Sequence, residues 1–129
     1  MLEFENLDKD KFFELIDYTP HSDGQWQFHN CNAKHRIACC GRRWGKSLAA
    51  ANELSFAALK PDSVYWIVGP TYKLAEKEFR IVHQNFTRKI DLRKYLRVSY
   101  NTEQGHMRIQ FPWRTIVQCA SATNADSLL

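Results

Sequence analysis

The chain of 129 residues is 44% hydrophobic and 25% charged, with only 5 Gly and 4 Pro, which fits one globular domain and excludes a disordered or fibrous chain. Its net charge of +4 is unevenly spread: residues 1 to 30 carry seven acids against Lys9 and Lys11, whereas the stretch from Lys73 to Arg97 holds eight bases against Glu76, Glu78 and Asp91. Such a basic segment suits either a solvated helix face or contact with a polyanion.

Asp8 stands where a helix cap belongs, and Phe12, Leu15 and Ile16 follow at helical spacing, so a first helix is expected to end before Thr19 and Pro20. Residues 21 to 30 are polar and are expected to form a connector. The apolar run 35 to 40, HRIACC, reads as a short strand, followed by the loop GRRWGKS and a helix rich in Ala and Leu that Pro61 and Asp62 stop. SVYWIVG at 63 to 69 is the clearest strand, and its near-continuous apolar character implies burial on both faces. Thr71 is placed to cap a further helix whose apolar stripe is Ala75, Phe79, Val82 and Phe86. From Leu96 the period changes to two, through Val98, Tyr100, Met107, Ile109 and Phe111 to the run 115 to 120, with Gly105 and Pro112 as turns. The expected architecture is an α/β unit spanning 1 to 129, with a central sheet, flanking helices and a C-terminal antiparallel β meander.

Cys31, Cys39, Cys40 and Cys119 form no CxxC pair, which points to a reducing compartment and buried structural thiols. His21, His29, His35, His83 and His106 lack zinc-site spacing, so no His/Cys metal centre is expected. No apolar stretch approaches the roughly eighteen residues of a membrane span, and the acidic start is unlike a signal peptide, so a cytoplasmic protein without a membrane partner is expected.

The chemistry is concentrated in Cys40-Gly41-Arg42-Arg43-Trp44-Gly45-Lys46-Ser47, which fits the phosphate-binding pattern GxxxxGK[ST] at every fixed position except the first, where Cys replaces Gly. Strand before and helix after are what such a loop needs, because its amides must converge on phosphate at a helix N-terminus. Gly45 allows close approach, Lys46 sets a compact charge against the β and γ oxygens of ATP, and the Ser47 hydroxyl can ligate Mg²⁺.

GRRWGKS after an aliphatic and cysteine strand resembles the variant Walker A loop of the phage large terminase family, ATPases that pump DNA into procapsids. The resemblance implies a RecA-like P-loop NTPase fold of the ASCE type, and a role for Arg42 at the γ phosphate or in coupling; Arg43 is the alternative. YWIVGPTYKLAEKEF is similar to the segment after the second strand in terminases and superfamily 2 helicases, which makes Thr71, Tyr72 and Lys73 candidate DNA contacts, although Thr71 serves equally as a cap. PHSDGQWQFHN resembles the stretch whose glutamine reads adenine, here Gln25, since an amide both donates and accepts. ASATNADSLL is similar to the family's stretch in which S-A is followed by D-S-L. The resemblance covers about residues 18 to 129, and it implies double-stranded DNA, a portal protein, a small terminase subunit and further copies of the same chain as partners, in the cytoplasm of an infected or lysogenic bacterial host.

Phosphoryl transfer to water also needs acids to hold the Mg²⁺ shell and orient the nucleophile, usually at the end of an aliphatic strand. Asp62, Asp91, Glu103 and Asp126 have no such strand before them, and Glu76 and Glu78 fall within a helix pattern. In terminases the acidic pair follows the S-A-D-S-L stretch, so it is expected beyond Leu129, together with any nuclease domain, and this chain alone is expected not to hydrolyse ATP. A superfamily 2 helicase fragment and a non-catalytic DNA-binding assembly module that uses residues 73 to 97 are the competing readings.

Overall fold

A computed structural model describes residues 7 to 39, 45 to 101 and 106 to 122. Among the described residues, four α-helices and a four-stranded sheet follow one another as α1 (Lys9–Leu15), α2 (Asp23–Asn30), α3 (Lys46–Ala57), β1 (Val64–Gly69), α4 (Tyr72–Gln84), β2 (Arg97–Asn101), β3 (His106–Gln110) and β4 (Ile116–Ser121). The sheet order is β1-β4-β3-β2. β1 lies parallel to β4 from Val64 opposite Ile116 to Gly69 opposite Ser121, and β4, β3 and β2 are successively antiparallel. The expected meander is therefore present, and it continues the sheet that β1 begins.

α4 forms because Thr71 accepts the Leu74 N–H at 3.3 Å and because its apolar residues recur on one side. The whole stripe Ala75, Phe79, Val82 and Phe86 is buried. α4 then widens into a π-helical turn at Asn85–Lys89, which lets adjacent Asn85 and Phe86 both face inward. Phe86 meets Phe111 edge-on with ring centroids 4.8 Å apart, and Phe12 of α1 packs on both Phe86 and Phe56. Met107, Ile109 and Val117 complete this core from the sheet. The Asn85 amide donates to Asn52 Oδ1 and to Ser55 Oγ, both at 2.9 Å, which satisfies the buried polar groups between α3 and α4.

Five expectations are corrected. Residues 23 to 30 are helix α2, not a connector: Ser22 accepts the Gln25 N–H, so Ser22 and Gln25 supply the S-x-x-Q start of a helix. Residues 35 to 39 make no ladder, and Ile37 is 89% exposed; no strand lies beside them among the described residues, and a lone extended segment has no partner for its amides. β1 is buried on one face only, with Ile67 inward but Val64, Trp66 and Val68 exposed at 60%, 40% and 52%, because α4 covers one side and β1 is the sheet edge. In α1 the inward residues are Phe12, Phe13 and Ile16, whereas Leu15 is 50% exposed. The cysteines divide likewise: Cys119 is buried as expected, Cys31 is half-buried and Cys39 exposed. Cys40 lies outside the described residues.

Candidate phosphate-binding site

Helix α3 begins without a side-chain cap. Gly45 is its N-cap in the left-handed region, φ 86°, and no acid stands in the first turn. Ala49 N–H closes the first helical bond onto the Gly45 carbonyl at 2.9 Å, so the amides before it have no partner within the helix and stand at its positive pole. Lys46 is exposed and Ser47 half-buried at this end. Both line a hollow of about 330 Å³ with Phe28, Arg36, Ala38 and Glu78. Amides outside the helical ladder, a lysine and a hydroxyl at a helix start are a donor set suited to a phosphate chain and its Mg²⁺.

Gln25 of α2 is buried against this end of α3. Its Oε1 accepts the His21 N–H at 2.8 Å, and its Nε2 stands 2.6 Å from where a Cβ on Gly45 would be. Gly45 is thus fixed by two demands, its backbone angle and its contact with Gln25. The structure brings together Gln25, Gly45, Lys46 and Ser47. Gly41, Arg42, Arg43 and Trp44 lie outside the described residues. Thr71, Tyr72 and Lys73 open α4 after the end of β1 and do not line the hollow. Thr71 caps, Tyr72 packs against the core and Lys73 is exposed. Thr71→Ala is expected to lower stability by about 1 kcal/mol in urea unfolding; an unchanged midpoint would show that the cap contributes nothing.

Sequence reasoning missed two acids. Glu78 shares the hollow with Lys46 and Ser47, a placement that only the packing of α4 on α3 creates. Glu53, two turns into α3, accepts from His29 Nδ1, Lys9 Nζ and Arg36 Nη1, each at 2.7 Å. An ionised carboxylate only accepts, so His29 Nδ1 carries the proton, and Nε2 pairs with the Tyr18 hydroxyl at 2.9 Å. Burial alone would raise the Glu53 carboxyl, but the hydrogen bonds from His29, Lys9 and Arg36 and the Lys9 charge outweigh it and hold it at about 2. Burial and the Glu53 charge push the Tyr18 hydroxyl up to about 12.

Because the folded value for Glu53 lies below its ordinary 4.5, its contribution is present above pH 4.5 and is lost as the pH falls towards 2. About 3 kcal/mol of stability is expected to disappear across that window, and in Glu53→Gln that part of the acid sensitivity should vanish from the unfolding curves.

Burial, then Glu78 and Glu76, raise the Cys119 thiol to about 12, so it is no thiolate nucleophile at neutral pH. Among the described residues no three of His, Cys, Asp and Glu stand together as a metal site, and no helix is long and apolar enough to cross a membrane.

No family model matches the sequence. Over 77 residues, 58% of the chain, it is 48% identical to the large terminase subunits of Thermus phage G20c and Thermus virus P23-45, and this match spans 16% of each of those proteins. In structure, 93% of the chain superimposes on the large terminase ATPase domain of Thermus phage P74-26, with a TM-score of 0.77 and 32% identity. The chain belongs to the phage large terminase family. It covers 53% of the P74-26 domain, and its fold is the α/β fold of that P-loop NTPase. A mutant form of the same P74-26 domain matches equally well.

Proposed function

We propose that this large terminase chain is the nucleotide-binding part of an ATPase that drives double-stranded DNA into procapsids. The observation that carries the reading is the start of α3, which has no side-chain cap and where Lys46 and Ser47, next to the left-handed Gly45 of the GRRWGKS motif, face a hollow. In this reading the amides of residues 41 to 47 and the Lys46 ammonium hold the β and γ phosphates, Ser47 ligates Mg²⁺, and Gln25 reads the adenine edge. Mg²⁺ screens the phosphate charge when bound. Arg42 or Arg43 acts on the γ phosphate. Thr71, Tyr72 and Lys73, together with the basic stretch that ends at Arg97, meet the DNA backbone. The whole protein works in the host cytoplasm with a portal, a small terminase subunit and other copies of itself.

No aliphatic strand among the described residues ends in an acid, so the chain by itself binds ATP weakly and does not turn it over. The test is an NMR titration of the chain with ATP and Mg²⁺, paired with a phosphate-release assay. Mg²⁺-dependent binding without turnover is expected. Release that disappears in both Lys46→Ala and Glu78→Gln would show that Glu78 supplies the acid assigned here to another part of the protein.

A further inference from the structure

Glu53 joins four segments through one carboxylate: Lys9 of α1, His29 of α2, Arg36 of the stretch that enters the loop, and α3, which leaves it. Gly45, Ala49 and Glu53 follow each other at intervals of four on α3, and Gln25 and His29 do so on α2. Ala49, Gln25 and His29 are all buried. α2 therefore touches α3 at two points, with Gln25 over Gly45 and His29 on Glu53. The His29 ring has little freedom to turn. Both of its nitrogens are bonded, and Phe13, Tyr18 and Phe28 meet it edge-on at 4.7, 5.6 and 5.5 Å. Lys9 closes the arrangement by donating to the His29 carbonyl as well as to Glu53.

Two of the segments tied together by Glu53, the stretch with Arg36 and α3, flank the loop in sequence, and a third, α2, carries Gln25. We infer that Glu53 is a positioning residue for the nucleotide site, holding α2 through His29 so that the Gln25 amide is set against Gly45 at the mouth of the phosphate loop. This rests on residues 41 to 47 being that loop. Glu53 acts through His29 and touches no ligand itself; its effect on binding is to fix in advance a geometry that ATP would otherwise have to impose.

The experiment measures dissociation constants for MgATP by NMR in the full chain, for Glu53→Gln, Gln25→Ala, the double variant and Lys46→Ala, each at a temperature where circular dichroism shows it folded. Glu53→Gln and Gln25→Ala are each expected to weaken binding about tenfold, and the double variant no further than either alone, because both remove one arrangement. Tyr18→Phe, which keeps the ring and deletes only the hydroxyl on His29, serves if Glu53→Gln does not fold; it should weaken binding about threefold, with no loss beyond Gln25→Ala when the two are combined. Losses that multiply, or unchanged binding in folded Glu53→Gln, would overturn the inference while Lys46-dependent binding upheld the loop. If the unaltered chain shows no Lys46-dependent binding, the loop assignment and the inference fall together.

Discussion

Lys46→Ala is expected to weaken MgATP binding about a hundredfold while thermal stability changes little. The side chain is exposed at the first residue of α3, where replacement on a surface shifts folding stability by less than about 0.5 kcal/mol. Its proposed work is done on the ligand, as a compact cation against phosphate oxygens. Hydrogen bonds to charged groups contribute about 1.5–3 kcal/mol, and each 1.4 kcal/mol is tenfold, so the upper part of that range corresponds to the expected loss. Arginine is a poor substitute because its planar fork does not fit where a point charge sits, so Lys46→Arg should recover only part of the affinity. Isothermal titration beside a melting curve separates the two effects; equal affinity in Lys46→Ala would remove the lysine from the site.

Gly45→Ala is expected to damage both folding and binding. An L side chain in the left-handed region costs about 1–2 kcal/mol, and here the new Cβ would also stand 2.6 Å from Gln25 Nε2 and 3.0 Å from the His21 ring. Gln25 is fully buried and its Oε1 holds the His21 N–H, so moving its amide aside disturbs that packing and that hydrogen bond. Together the two terms suggest a loss of about 2–4 kcal/mol, roughly a 10 °C drop in melting temperature for a domain of this size. Adding Gln25→Ala should recover the steric part and leave the backbone part. A Gly45→Ala protein that melts with the unaltered chain would show that neither demand is real.

The sequence made visible those elements whose cause is local. α4 has a cap and an apolar stripe within sixteen residues, β1 is a run of aromatic and β-branched residues, and the meander alternates. α2 was hidden by its polar composition, although Ser22 and Gln25 carried the capping signal. Residues 35 to 39 have the character of a strand, but a strand exists only beside another, and no local pattern says whether one is there. In the site, Gly45, Lys46 and Ser47 could be read because the chemistry demands them at fixed spacing, and the structure sets them at a helix start beside Gln25. Glu53 and Glu78 could not. Glu53 meets residues 17, 24 and 44 positions away, and Glu78 reaches the hollow through helix packing, so neither contact leaves a trace in spacing.

The most direct measurement follows backbone amides by NMR in the isotope-labelled chain as MgATP is added. The largest shifts are expected on residues 41 to 48 and on the Gln25 side-chain amide, and Lys46→Ala is expected to abolish them. Shifts confined to the basic stretch between Lys73 and Arg97, with the amides of Gly45, Lys46 and Ser47 unmoved, would contradict the assignment of the phosphate loop.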